Sequence, residues 1–171
     1  QEESKDIVIV NIGENSLETL GQFPWPRHHY AQMISDLRNV NAGYIGYTIM
    51  FPEADRFGGD DIFAEYMKDN GIILSQDVDA NGRADSAPYV GYATFGTSEP
   101  LDFIYKYDGL VANIDMLEKE AWGIGLINAA PEVDNITRRI PLISNVKDQL
   151  YPSFALEMTR LAFDNLSYTI K

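Results

Sequence analysis

The sequence predicts an α/β fold: a three-layer-like domain with a parallel βαβαβ core and a mixed sheet completed by antiparallel strands from the C-terminal half. Three observations predict it. Apolar runs typical of strands buried on both faces alternate with segments whose apolar residues recur every three to four positions. These runs and stripes are spaced as helical crossovers between parallel strands require. The chain has 171 residues, one domain's length, so residues 1–171 are interpreted as a single domain.

The first half of the chain supplies the predicted core. Residues 7–12 form an apolar run before Gly13 and predict the first strand. Prolines in the segment 21–26 exclude a helix interior there and predict a stiff loop. An amphipathic helix is then predicted by a stripe of apolar residues at helical spacing, which consists of Tyr30, Met33, Ile34, Leu37 and Val40.

A second βα unit and a third strand follow. Residues 44–51 predict the second strand, and Asp60 is placed to cap the next helix. That helix is expected to end near Gly71, before a third strand at 72–75. Its apolar face consists of Ile62, Phe63, Tyr66 and Met67.

The second half is less regular. A helix is predicted from Asp115 to Ala121 and a strand over 123–127. Turns are predicted at 133–136 and 147–148, with an edge-type strand over 137–144 that Pro141 interrupts. The sequence assigns no elements within 86–113, where alternating aromatic residues favour strand pieces in a long loop. A last helix is predicted by the stripe of Phe154, Met158, Leu161, Ala162 and Leu166.

Composition excludes several classes of function. The chain has 26 acidic and 13 basic residues, and a net charge of −13 repels nucleic acids and anionic lipids. It contains no cysteine, which excludes a disulfide scaffold, a thiolate zinc site and a cysteine nucleophile. No apolar stretch approaches the roughly 18 residues that a membrane-spanning helix needs.

One loop has the spacing of a calcium site. Oxygen ligands recur at alternate loop positions, a glycine stands at position six, and position seven would contribute its backbone carbonyl. Position twelve is Pro88 instead of a bidentate glutamate, so a distant carboxylate would have to complete the coordination. The alternative interpretation is an Asn-Gly hairpin turn with solvated acidic flanks. The expected metal ligands are Asp77, Asp79, Asn81, Arg83 (through its carbonyl) and Asp85.

A second candidate site lies at the carboxyl ends of the predicted strands, where open parallel sheets bind ligands. Amide, carboxylate, aromatic and guanidinium groups come together there, a mixture suited to a small polar molecule. The alternative is that Trp25 belongs to the core and Arg27 to a salt bridge. The strand-end residues predicted to bind a ligand are Asn11, Glu14, Trp25, Arg27, Thr48, Phe51, Glu53 and Asp60.

The sequence does not indicate an enzyme. His28 and His29 are the only histidines, and adjacent helical residues do not share a face. The sequence has no Gly-x-Ser-x-Gly elbow, phosphate-binding loop or dinucleotide fingerprint. We therefore expect no catalytic residues and no required cofactor, with a carboxylate-dependent hydrolase kept as a second alternative.

Five blocks resemble, in order, the type-two CHASE sensory domain, whose name stands for cyclase- and histidine-kinase-associated sensing extracellular. The blocks are distributed over nearly the whole chain. They are residues 6–12 with Ser16, Leu17, Leu20 and Gly21, Trp25-Pro26-Arg27, 46–51 with Glu53, Asp55, Asp60 and Asp61, 134–142, and 152–157. The sequence departs from the family pattern at Asn11 and Thr48, where aspartates are common, and at Asn135, where a glycine is usual. These departures weaken a cation site and favour a neutral or anionic ligand near Arg27 and Arg138, the ninth candidate ligand-binding residue.

The resemblance implies an extracytoplasmic sensor of a bacterial transmembrane receptor, on the periplasmic face of the inner membrane. Flanking transmembrane helices outside this sequence would anchor it, and a cytoplasmic nucleotide cyclase, diguanylate enzyme or kinase would receive its signal. The expected partners are a small-molecule or protein stimulus and a second copy of the chain, with no nucleic acid. A secreted or periplasmic binding or adhesion module, with calcium as its ion, is the alternative.

Overall fold

The structure, a computed structural model, describes residues 6–81, 90–96, 99–129 and 133–170. Five α-helices and nine strands lie within these ranges, with a 3-10 turn at Pro100–Asp102. The helices are α1 (Glu14–Leu20), α2 (Arg27–Asn39), α3 (Asp60–Met67), α4 (Asp115–Glu120) and α5 (Phe154–Ala162). The strands are β1 (Ile45–Tyr47), β2 (Ile72–Val78), β3 (Tyr92–Thr94), β4 (Lys106–Tyr107), β5 (Leu110–Val111), β6 (Gly123–Leu126), β7 (Ile143–Val146), β8 (Gln149–Pro152) and β9 (Tyr168–Ile170).

The strand β2 is the centre of the fold. It pairs in parallel with β1 on one side and with β6 on the other, and its far end pairs antiparallel with β5. A second sheet has the order β4-β7-β8, parallel at β4-β7 and antiparallel at β7-β8. A third, two-stranded sheet pairs β3 with β9 in parallel. The predicted α/β class, with a parallel core and antiparallel additions, is confirmed.

Two hydrophobic clusters stabilise this arrangement. The larger cluster lies between the β1-β2-β6 sheet and α2, α3 and α4, and its rings Tyr30, Tyr47, Phe51 and Phe63 meet mostly edge to face. Such aromatic pairs are worth about 0.5–1.5 kcal/mol each beyond their burial. The smaller cluster joins the ends of β2 and β6 to the second sheet and consists of Leu110, Leu126, Val146 and Tyr151.

The predicted first strand is wrong for the described structure. Residues 7–12 form no ladder, and the side chains of Ile7, Val8 and Ile9 are exposed. Their apolar pattern suits a buried strand, but a strand also needs a backbone partner within hydrogen-bond reach. An open groove separates this segment from β1, so the pairing is not made.

Of the other boundaries that differ from the prediction, three differ most. The second strand is shorter than 44–51 because the ladder ends at Tyr47, and the backbone N–H of Phe51 donates instead to the Asn113 side chain. The edge strand begins at Ile143, not at residue 137, and 137–140 are exposed. The last helix ends at Ala162, before Asp164 adopts a positive φ, so Leu166 is not part of it.

The turn predicted at 147–148 is confirmed as the hairpin between β7 and β8. Lys147 and Asp148 have φ angles of 49° and 65°, as a two-residue type I′ hairpin requires. The region 86–113, unassigned from the sequence, contains β3, β4 and β5 in its described part.

Candidate functional site

The carboxyl end of β1 gathers several of the predicted ligand-binding residues around one guanidinium group. Arg27 begins α2, and its Nε–H donates to Oδ1 of Asp60, 3.1 Å away, at the start of α3. Its Nη2 donates to the backbone carbonyl of Glu53 at 2.8 Å, and the guanidinium lies 4.5 Å from the centre of the Phe51 ring. Arg27 is only 8% exposed, so these partners replace the water it would otherwise hold.

Asp55 organises the backbone around this arginine. Its Oδ2 accepts hydrogen bonds from the backbone N–H groups of Arg27, at 2.9 Å, and Gly59, at 3.1 Å. Its Oδ1 accepts from the N–H of Phe57 at 3.1 Å. The N-cap of α2 is Pro26, which has no acceptor side chain, so Asp55 satisfies an orphan helix donor from a distant loop. The sequence analysis did not place Asp55 in the site, although it lies within the block 46–61.

The electrostatics of this cluster favour a charged Asp55. Burial acts to raise the pKa of its carboxyl, but the three backbone hydrogen bonds and the Arg27 charge outweigh burial and hold that pKa below its ordinary value. A second link closes the network, because Oδ2 of Asp60 accepts from the backbone N–H of Asp55 at 2.7 Å. The cluster therefore ties the starts of α2 and α3 to the loop after β1.

We expect the substitution Asp55→Asn to lower the free energy of unfolding by about 2 kcal/mol near neutral pH, because hydrogen bonds to a charged acceptor are lost. Folding lowers the pKa of Asp55, so its stabilising contribution is complete above the ordinary value of 3.8 and is lost as pH falls through the lower folded value. Urea unfolding from about pH 6 to pH 2 should show a shallower acid loss in the variant.

The control for this prediction is Asp61→Asn. Asp61 lies beside Asp60 in the first turn of α3 and is exposed. This variant should keep the wild-type dependence on pH. Equal acid slopes for Asp55→Asn and the wild type would contradict the assignment of Asp55 as the charged acceptor.

The remaining predicted ligand-binding residues do not join this cluster. Asn11, Glu14 and Thr48 are exposed. Trp25 is 3% exposed in the larger core, and its indole N–H donates to the carbonyl of Gly21 at 2.8 Å. Arg138 lies on the loop between β6 and β7.

On that loop, Arg138 forms a two-bond ion pair with Asp134, at 2.8 and 3.0 Å. Hydrogen bonding from Arg138 lowers the pKa of this exposed Asp134 carboxyl. Both side chains are about half exposed, at 49% and 51%. Pairs of this kind contribute little to stability, so the loop keeps a solvent-accessible cation near its tip.

The predicted calcium loop is described only as far as Asn81. Oδ1 of Asp79 accepts from the backbone N–H of Asn81 at 2.9 Å, a local Asx-type turn, and Oδ1 of Asp77 accepts from the N–H of Val78. Arg83 and Asp85 lie outside the described residues. Within the described part of the chain, no group of three or more His, Asp or Glu residues is arranged to hold a metal ion. The calcium site stays a prediction.

A second polar cluster, which the sequence analysis missed, lies under α5. Glu157 is fully buried, and its two carboxylate oxygens accept from Nε and Nη2 of Arg160 at 2.9 and 2.8 Å. The hydroxyl of Tyr168, on β9, donates to the same carboxylate, and Nη1 of Arg160 donates to the carbonyl of Asn165 at 2.5 Å. We call Glu157, Arg160 and Tyr168 the α5 triad.

The α5 triad needs a glycine in the neighbouring strand. A Cβ on Gly123 of β6 would lie 2.5 Å from Oε1 of Glu157, so only glycine leaves room for the carboxylate.

Hydrogen bonding to Glu157 raises the pKa of Arg160, while burial and the same carboxylate raise the pKa of Tyr168. The arginine therefore stays protonated and the tyrosine stays neutral. The available sequence signal was a Glu–Arg pair at i, i+3 beside an apolar stripe.

Asn113, a buried asparagine, joins the chain after β1 to the neighbouring strand β2. Oδ1 of Asn113 accepts from the backbone N–H of Phe51 at 2.8 Å, and its Nδ2 donates to the carbonyl of Ser75 at 2.9 Å. Its own backbone N–H donates to the Glu118 carboxylate of α4 at 3.1 Å. Asn113 thus links the chain after β1 to β2 and α4, and nothing in the sequence pattern singled it out.

These contacts define the class of protein. In both clusters the carboxylates bond to backbone N–H groups or to buried arginines, which organises loops and helix ends and does not activate a nucleophile. No helix within the described ranges is both long enough and apolar enough to cross a bilayer. The geometry is that of an α/β domain whose polar clusters fix its loops and helix ends.

Comparison with known proteins gives the family. The profile of the CHASE2 domain matches residues 1–170, and the chain therefore belongs to the CHASE2 family. CHASE2 domains are extracytoplasmic sensory domains of signalling receptors, and they are sensory, not catalytic. Neither the search of curated proteins nor the search of solved structures gave a match.

Proposed function

We propose that this domain senses a stimulus in the periplasm for a bacterial receptor of the inner membrane, and that the receptor relays it to a cytoplasmic nucleotide cyclase, diguanylate enzyme or kinase. The observation that carries the proposal is the CHASE2 match over residues 1–170. The net charge of −13 argues against a nucleic acid as the stimulus.

The C-terminal strand is the element best placed to relay a signal. β9 pairs with β3 through three residues and is tied to α5 by the Tyr168 hydroxyl in the α5 triad. α5 in turn packs against β6 of the central sheet. A stimulus that favours one arrangement of this sheet by differential affinity would shift the population of β9 positions.

The proposed stimulus is a small molecule with a neutral or anionic group, or a protein that carries one. Arg138 is about half exposed beside its ion pair with Asp134 and is the candidate contact for such a group, whereas Arg27 is buried against Asp60 and Glu53. A second copy of the chain is the other proposed partner, because two-fold symmetric dimers are the commonest assemblies of soluble chains.

The proposed location is tested in the complete parent polypeptide. Alkaline phosphatase, fused directly after residue 171, is expected to be active in bacteria, because it folds to its active form only outside the cytoplasm. The matching fusion to green fluorescent protein should be dark when exported through the general secretory route. Inactive phosphatase with a fluorescent partner fusion would overturn the proposal.

A further inference from the structure

Among the residues that the structure describes, no strand pairs with the outer edge of β1. β1 pairs with β2 on one side, where the backbone N–H of Ile45 donates to the carbonyl of Gly71 at 3.1 Å. Successive residues of a strand direct their backbone groups to opposite neighbours, so the N–H group of Gly46 points toward the open edge. An unpaired edge of this kind is a template for another strand.

A groove of about 390 Å³ lies along this edge. Its walls come from both faces of the sheet: Met33 and Leu37 of α2 on one side, and Phe154 and Met158 of α5 on the other. The α5 side chains lie close to the strand, since a Cβ on Gly46 would lie 2.6 Å from the Phe154 ring and 2.7 Å from Sδ of Met158. The groove is therefore apolar on both faces and lined by backbone groups at its base.

The N-terminal segment of the chain forms a further wall of the groove. Residues 6–10 line it, yet Ile9 is 87% exposed and Val8 82% exposed. Ile12 already packs against the larger core, so the segment is anchored at its C-terminal end. A run that is apolar at every position from 7 to 10 suits a strand covered on both faces, which is what the groove offers.

We propose that residues 7–12 form a strap that closes onto β1 as an additional parallel strand and fills the groove, and that the described arrangement is its open state. The chain between the two segments, which contains α1 and α2, is long enough for the crossover that a parallel pair needs. A groove of this volume would also hold a small apolar molecule. The strap is favoured as occupant because it is tethered at Ile12 and matches both walls.

The strap gives the proposed sensor a two-state element. Closure moves residues 7–10 toward the sheet, and opening releases them. This signalling role rests on the proposed function, whereas the closure itself is a property of the isolated chain and is tested without the receptor.

Amide hydrogen exchange of the 171-residue chain, followed by NMR, tests the closure. The variant carries Val8→Asp and Ile9→Asp, which cannot enter an apolar groove but sit unhindered in the open state. We expect the Gly46 amide to be protected in the wild type and to exchange about tenfold faster or more in the variant. The Ile45 amide, bonded to Gly71 in both states, should change little.

The matched control is Leu166→Asp, an equally exposed apolar residue that does not line the groove. It should leave Gly46 protection at the wild-type level. Gly46 exchange that is unprotected in the wild type, or equal in wild type and variant, would overturn the strap. Unprotected Gly46 together with anilinonaphthalenesulfonate binding that Met158→Asp abolishes would assign the groove to a small apolar ligand instead.

Discussion

Glu157→Gln is expected to lower the free energy of unfolding by about 3–5 kcal/mol, the usual cost of breaking a buried ion pair from one side. The variant keeps the shape of the side chain but leaves the Arg160 guanidinium, 8% exposed, without its countercharge. It also weakens the acceptor of the Tyr168 hydroxyl. Urea unfolding monitored by circular dichroism measures the change.

Two further variants separate charge from packing. Glu65→Gln changes an exposed helical glutamate of α3 and should stay within about 0.5 kcal/mol of the wild type. The double variant Glu157→Met with Arg160→Met should be more stable than Glu157→Gln, because no unpaired charge remains buried. If Glu157→Gln unfolds at the wild-type urea concentration, the α5 triad does not stabilise the fold.

The second large effect is expected for Gly125→Ala in β6, which should cost about 3 kcal/mol through overpacking. A Cβ at this position would lie 2.4 Å from Cα and 2.7 Å from the backbone nitrogen of Phe154, and 2.9 Å from the Ser153 carbonyl carbon. Backbone atoms cannot turn aside as a side-chain tip can, so the start of α5 must move off the sheet. Thermal unfolding gives the measurement.

Gly43→Ala is the matched control for this overpacking. Gly43 lies just before β1, and a Cβ there would meet no atom within 4 Å. The substitution should change stability by less than about 0.5 kcal/mol. A melting temperature for Gly125→Ala equal to that of Gly43→Ala would contradict the close contact between β6 and α5.

Helices were the part of the fold that the sequence predicted well. The stripe from Tyr30 to Val40 anticipates α2, and Phe154 to Ala162 anticipates α5. Helical hydrogen bonds are local, and the side chains that face the core recur with the helical period, so the pattern alone carries the information. The first helix, α1, was missed because none of its seven residues is buried and no stripe marks it.

The strands were harder to predict from the sequence than the helices. The strand β9 and the segment 7–12 show the physical reason in two opposite ways. β9 is three residues long and depends on β3, more than 70 positions earlier, for its hydrogen bonds. The segment 7–12 has a strong apolar pattern but no partner within reach in the described structure. Pattern identifies a surface that can be buried, whereas pairing depends on where the rest of the chain places an edge.

The contacts of the candidate site were likewise predicted only in part. Arg27 and Asp60 were expected to lie together because both follow strand ends, and the structure joins them directly. Glu157 and Tyr168 were not expected to meet, because their contact depends on the chain reversing after α5 at Asp164. Arg138 was grouped with Arg27 through the family resemblance, and the structure places it on another loop with its own partner.

The hydrogen bond between Tyr168 and Glu157 restricts how β9 can shift its register along β3. Side chains alternate between the faces of a strand, so a shift by one residue would turn the tyrosine away and leave the carboxylate without its hydroxyl donor. Only a shift by two residues, about 7 Å, returns a side chain to the same face. The side chains two positions from Tyr168, Leu166 and Ile170, have no hydroxyl to donate, so the hydrogen bond to Glu157 favours a single register of β9.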